Sequence, residues 1–201
     1  MQLFDNPASP FCRKVKVVLR ETGQEADVEP IPVAGHPTEC SAMPLAHNPL
    51  GKIPSLIRPD GPALYDSRVI CRFLDDRAGG RLYPSAPRLW EALTLEATAD
   101  GMMDAAVLMI YETRSRPESK RSPDWVEAQW DKISRSLATL DGRWMAYLAG
   151  PVDIGQIALG CALGYLDFRH GTRDWRTGHD RLASWYADFV QRPSMVATTP
   201  A

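Results

Sequence analysis

The sequence predicts an α/β half followed by an all-helical half. Three observations predict this. Up to residue 78 the apolar segments run strand, helix, strand and then strand, strand, helix. Residues 79–87, Gly-Gly-Arg-Leu-Tyr-Pro-Ser-Ala-Pro, concentrate the two residues that punctuate regular structure. From residue 88 onward the apolar spacing is helical throughout. The expected organisation is a mixed four-stranded sheet with helices over 1–78, a linker over 79–87 and a helical bundle over 88–201.

Each element follows from local chemistry. Gln2 to Asp5 is a short strand, and Asn6 to Pro10 is a loop with two prolines. Ser9 then Pro10 suit the N-cap and first position of a helix, which carries Val15, Val18 and Leu19 and stops at Gly23. Val28 to Val33 is a strand containing Pro30 and Pro32, so it belongs at a sheet edge. Residues 34–47 read as a loop. Ser55 to Arg58 and Ala63 to Tyr65 flank Pro59-Asp60-Gly61 as a hairpin. Asp66 opens a helix with Val69, Ile70, Phe73 and Leu74 on one face. Long helices are expected at 88–115 and 124–148. Asp153 with Gln156 three residues on has capping-box spacing and opens the apolar helix Ile157 to Leu166. A last helix spans about 179–191, and the tail from Pro193 reads as short and polar.

Composition narrows the function. The chain has 201 residues, 44% of them hydrophobic, enough for a real core. A net charge of −2 offers no basic surface for nucleic acid. No apolar run approaches the ~18 residues a membrane helix needs, and Met1 to Asp5 has no signal-peptide character. Cys12, Cys40, Cys71 and Cys161 are scattered, without metal-ligand spacing, and the four histidines are unpaired. Reduced thiols, a cytoplasmic location and no metal are expected.

Three blocks carry the candidate chemistry. In Asn48-Pro-Leu-Gly-Lys-Ile-Pro-Ser-Leu56, a proline sits where a strand begins. The Ile53-Pro54 bond, if cis, would turn the N–H and C=O of Ile53 toward an extended peptide-like ligand. Ser9-Pro10-Phe11-Cys12-Arg13-Lys14-Val15 begins a helix whose N–H groups favour a negative atom, and the Ser9 hydroxyl can donate to a thiolate there. Cys12 is the rival centre, for thiol redox chemistry. Leu64-Tyr65-Asp66-Ser67-Arg68-Val69-Ile70 begins a second helix with two polar groups at its mouth. In each block the residues also have plain structural readings as caps, packing or solvated charge.

In this order and spacing the blocks resemble the N-terminal domain of cytosolic glutathione transferases, a bacterial branch in particular. The resemblance extends over almost the whole chain and implies a thioredoxin-like domain followed by a helical domain. It implies glutathione as co-substrate, with its thiolate held by Ser9, its main chain along Ile53-Pro54 and its γ-glutamyl end on Asp66 and Ser67. The family more often has glutamate where Asp66 stands. Lys52 or His36 would meet the glycyl carboxylate, and Phe11 lies beside the sulfur. The resembled helix around Asp100 to Val107 faces both a dimer mate and the acceptor. Met103, Val107 and Tyr111 share one of its faces, so they, with Tyr165, Phe168 and Phe11, are either core or the wall of an electrophile pocket. Asp104 is a candidate for reaching the partner subunit's glutathione. The implied activity is conjugation of glutathione to small apolar electrophiles by a homodimer. The alternatives are glutathione-dependent reduction through Cys12 and a non-catalytic binding protein on the same scaffold.

Overall fold

The computed structural model describes residues 1–200. Strand β1 (Gln2–Asp5) leads to α1 (Pro10–Glu21), then β2 (Glu29–Pro32), β3 (Ser55–Ile57) and α2 (Ser67–Arg77). The helical half contains α3 (Arg88–Ser115), α4 (Pro123–Arg143), α5 (Met145–Leu148), α6 (Ile154–His170), α7 (Asp180–Phe189) and α8 (Pro193–Val196). Among the described residues no helix is long and apolar enough to cross a membrane.

The sheet has order β2-β1-β3. Gln2 lies opposite Glu29 in a parallel pair and opposite Ile57 in an antiparallel one. The proline-bearing β2 is at the edge, where missing N–H groups cost least. The expected fourth strand is reduced to one rung: Leu64 exchanges two 2.9 Å hydrogen bonds with Leu56. Pro62 just before it brings no N–H, and Asp66 just after it already caps α2, so no second rung fits.

In the helical half, α6 is buried from Ile154 through Leu166 and packs along α3. Gly155 permits the close approach: a Cβ there would lie 2.8 Å from Leu95 Cβ and 2.9 Å from the Ala92 carbonyl oxygen. The capping box forms as expected. Asp153 Oδ1 accepts from Gly155 N at 3.0 Å, and Gln156 Oε1 accepts from Asp153 N at 2.7 Å. Asp153 Oδ2 also accepts from Tyr147 and from Arg88 Nη2 at 3.2 Å, joining α5 and α3 to the start of α6.

Two helical expectations need correction. The helix expected over 124–148 breaks at Trp144 (φ −107°, ψ −2°), two residues past Gly142, a poor helix former. The tail is not a polar trailer, because α8 packs on α1. Buried Arg13 donates from Nη2 to the Met195 carbonyl at 3.1 Å, and Arg192 Nη2 meets Glu21 Oε2 at 2.8 Å. Arg13 thus ties these helices through a carbonyl. One continuous core runs from Leu3 through Met195 and spans both halves.

Candidate active site

The start of α1 is set by two turns of polar chemistry. Asn6 Oδ1 accepts from Ala8 N at 2.9 Å, and its Nδ2 donates to the Val33 carbonyl at 2.7 Å, which fixes the loop after β1. Half-buried Ser9 is the N-cap, and its Oγ accepts from Cys12 N at 3.3 Å. A hydroxyl has one proton and two lone pairs. Here one lone pair is engaged by Cys12 N, and the proton lies within reach of the Cys12 sulfur, whose thiol it lowers. Cys12 lies inside, against β1. It is fully buried with Sγ 3.9 Å from the Phe4 carbonyl, and burial pushes its thiol up to about 12 against the Ser9 hydrogen bond. A buried thiol held protonated is a poor nucleophile. Phe11 is partly buried against the core.

Asn48 builds the neighbouring corner. It is buried, its Nδ2 donates to the Lys52 carbonyl at 2.9 Å and to Ser55 Oγ at 3.2 Å, and its Oδ1 accepts from Leu50 N at 3.0 Å. Gly51 takes φ +58°, which suits glycine. The Ile53-Pro54 peptide is cis. Among the described residues the N–H and C=O of Ile53 have no hydrogen-bond partner, so a main-chain donor and acceptor stand open side by side. Lys52 is exposed. His36 bonds within its own loop, Nδ1 to Thr38 Oγ1 at 2.9 Å.

Asp66 caps α2 by accepting from Arg68 N at 3.0 Å. Partial burial would raise its carboxyl, but the hydrogen bonds and charge of Arg68, with Lys14 behind, hold it below the usual range. Ser67 is buried, yet its hydroxyl has no partner among the described residues. Two helix N-termini and one open main-chain pair therefore offer donors for anions, and Asp66 offers a carboxylate for a cation.

Across from them lies α3. Partial burial pushes the Asp104 carboxyl up, opposed by the charges of Lys52 and Arg68. Buried beneath is a cluster that sequence reasoning missed. Lys14 Nζ sits 2.7 Å from Asp100 Oδ1 and 3.1 Å from Glu96 Oε1, and the Tyr83 hydroxyl donates to Glu96 Oε1 at 3.3 Å. Arg68 links this cluster to Asp66, with Nε 3.8 Å from Asp100 Oδ2 and Nη2 2.8 Å from Asp66 Oδ2. Farther along α3, Val107 and Tyr111 are partly open, whereas Met103 is wholly buried. Met103 belongs to the core, because the face it shares turns inward at that register. Tyr165 and Phe168 on α6 meet edge to face, centroids 6.5 Å apart. Among the described residues no His, Cys, Asp or Glu cluster is arranged to hold a metal ion.

An α/β layer with a cis-proline corner between two helix N-termini, joined to a helical bundle, defines a thioredoxin-like domain fused to an all-α partner. Comparison with known proteins gives the family. The model of the glutathione S-transferase N-terminal domain matches residues 3–82, and that of the C-terminal domain matches residues 123–188. The GST-like protein YibF of Escherichia coli, itself uncharacterized, is 30% identical over 100% of this chain and 98% of its own length. A glutathione transferase family member from Pseudomonas fluorescens Pf-5, solved with bound glutathione, is 47% identical, with TM-score 0.95 over 100% of this chain and 98% of that one. A glutathione S-transferase from Methylobacillus flagellatus with glutathione bound is 36% identical, with TM-score 0.89 over 100% and 99%. The chain belongs to the glutathione transferase family.

Proposed function

We propose that the protein is a glutathione transferase that joins the glutathione sulfur to a carbon electrophile. The observation that carries this reading is the open main-chain pair of Ile53, set between the N-termini of α1 and α2. An extended peptide adds to such a pair as a strand adds to a sheet edge. Asp66 then takes the glutathione ammonium, and the Ser67 hydroxyl with the first N–H groups of α2 takes the adjoining carboxylate. The sulfur arrives at Ser9, whose hydroxyl proton and helix dipole stabilise thiolate over thiol. The thiol proton leaves to solvent, sulfur bonds to carbon, and a leaving group such as halide departs with the electron pair of the broken bond.

The Pseudomonas fluorescens relative, also solved with bound S-(propanoic acid)-glutathione at 47% identity and TM-score 0.92, supports a site able to hold glutathione substituted on sulfur. Four free cysteines fit a reducing, cytoplasmic setting. A homodimer is supported by a concavity of about 760 Å³ between α2 and α3, lined by Val69, Phe73 and Leu93 with Arg72, Asp76 and Glu96. Apolar surface with charges of both signs suits contact with its own copy across a two-fold axis.

Calorimetry with glutathione, followed by a rate measurement with glutathione and a chlorodinitrobenzene, tests the reading. Binding together with a rate well above the uncatalysed one is expected. Binding without catalysis would leave a glutathione-binding module, and absence of binding would overturn the reading.

A further inference from the structure

Two buried side chains close a ring of hydrogen bonds around one carbonyl of the corner loop. The Lys52 carbonyl accepts from Asn48 Nδ2 at 2.9 Å and from Ser55 Oγ at 3.1 Å. Asn48 Nδ2 also donates to Ser55 Oγ at 3.2 Å, which holds the two donors against each other. The asparagine is itself fixed: its Oδ1 accepts from Leu50 N at 3.0 Å, and its backbone N donates to the Pro44 carbonyl at 2.8 Å. Asn48 is 1% exposed and Ser55 0%, so neither side chain is open to a ligand. The amide carries two protons and the hydroxyl one, and all three are spent inside the ring.

The consequence falls on the next residue. The Lys52-Ile53 peptide is trans. A trans peptide is planar, and its C=O and N–H point in opposite directions. With the carbonyl pinned toward Asn48 and Ser55, the Ile53 N–H is turned away from them, and it has no partner among the described residues. Rotating this peptide to hide the N–H would strand two buried donors, each of which then loses its acceptor in a dry place. Two hydrogen bonds on the carbonyl also polarise the amide, which strengthens its N–H as a donor. The Lys52 side chain is exposed and takes no part, so the ring acts on the main chain alone.

We propose that Asn48 and Ser55 are positioning residues: through the Lys52 carbonyl they aim the Ile53 N–H at the carbonyl oxygen of the central residue of a bound γ-glutamyl peptide. This rests on the glutathione transferase reading and deepens it by naming the side chains that make the site demand a peptide carbonyl at that point.

The test compares two small thiols by calorimetry, with glutathione as reference. One is γ-glutamylcysteinamide, which has the central carbonyl, and the other is γ-glutamylcysteamine, which lacks it. The wild type is expected to bind the first about tenfold tighter, the worth of one well-aimed hydrogen bond. Ser55→Ala removes one donor to the Lys52 carbonyl and leaves the Asn48 turn in place, and the ratio is expected to fall about threefold. Asn48→Ala removes the other donor and should bring the ratio closer to one. The ratio separates aiming from mere support, because a loosened loop weakens both thiols alike. Ser55→Ala gives the answer even where Asn48→Ala does not fold. An unchanged ratio in Ser55→Ala, or equal binding of the two thiols to the wild type, overturns the proposal while glutathione binding stands. Failure of glutathione itself to bind the wild type overturns the transferase reading, and the proposal with it.

Discussion

Lys14 on α1 reaches across to α3 and places its ammonium 2.7 Å and 2.9 Å from the two oxygens of Asp100, with no solvent contact of its own. Glu96 lies on its other side. One buried cation thus faces two carboxylates, and the Tyr83 hydroxyl and Arg68 share the excess negative charge. Removing the cation strands both carboxylates in a dry place. Lys14→Ala is expected to lower unfolding stability by about 3–5 kcal/mol, read by denaturant titration. Adding Glu96→Gln to that variant should recover part of the loss, because the neutral amide no longer needs a cation. A Lys14→Ala protein as stable as wild type would show that the cluster does not hold α1 to α3.

Ser9 accepts one hydrogen bond from Cys12 N, and its own proton, within reach of the Cys12 sulfur, can turn to a bound ligand. If that proton is donated to the glutathione sulfur, Ser9→Ala removes a charge-assisted bond of about 1.5–3 kcal/mol. The thiol pKa of bound glutathione, followed by thiolate absorbance, is expected to rise by about one to two units. Conjugation near neutral pH should fall about ten- to a hundredfold with it. Glutathione affinity should change far less, since Ile53, Asp66 and Ser67 remain. Equal rates for the two proteins would remove Ser9 from the chemistry.

Glu21 clamps the C-terminal helix to α1 through Arg192 and Ser194. Partial burial would raise its carboxyl, but hydrogen bonds from Arg192 and Ser194 and the charges of Arg192 and Arg81 prevail and hold it below its ordinary 4.5. A carboxyl lower in the folded than in the unfolded state stabilises the fold above its unfolded pKa and loses that contribution as pH falls through the folded value. Amide exchange in α8 is therefore expected to speed up below about pH 4.5, and Glu21→Gln should show the faster exchange already at neutral pH. An α8 whose protection ignores both changes would place the clamp elsewhere, at Arg13 and Met195.

Local chemistry was legible in the sequence wherever a residue states its own backbone role. Ser9-Pro10, Asp66 and Asp153-Gln156 mark helix starts by what their side chains do to nearby N–H groups, and each caps where expected. Pro30 and Pro32 marked an edge strand in the same way. What stayed hidden depends on partners far away in the chain. Nothing near Lys14 in the sequence marks it for burial, because its neutralising carboxylates stand 82 and 86 residues later. Asn48 shows no role in the sequence, since the loop carbonyl and hydroxyl it binds are defined only once the corner closes. Spacing put Met103 on the same face as Val107 and Tyr111, but spacing alone does not say where along a helix that face passes from core to cleft.

Asp153 holds more than its own helix. Its carboxylate caps α6 with one oxygen and receives Tyr147 and Arg88 with the other. Asp153→Asn keeps an acceptor for the cap and is expected to cost about 1 kcal/mol. Asp153→Ala, which also strands Arg88 and Tyr147, should cost about 2–4 kcal/mol. Thermal unfolding of the two variants separates a capping role from a joining role. Equal losses would mean that the contacts to α3 and α5 add nothing beyond the cap.

The four thiols divide cleanly by burial. Cys12, Cys71 and Cys161 are buried, and burial is the leading cause of their raised pKa: Cys12 to about 12, Cys161 to about 11 and Cys71 well above the ordinary value. Cys40 alone is exposed, on the loop before Asn48. Thiolate is the reacting species, so at pH 8 iodoacetamide should label Cys40 in the folded protein and leave the other three untouched until denaturant is added. Peptide mass spectrometry after oxidised glutathione should follow the same order. Rapid labelling of Cys12 in the folded protein would reverse the assignment, since it would require a thiolate at the first turn of α1, beside the serine now given that work.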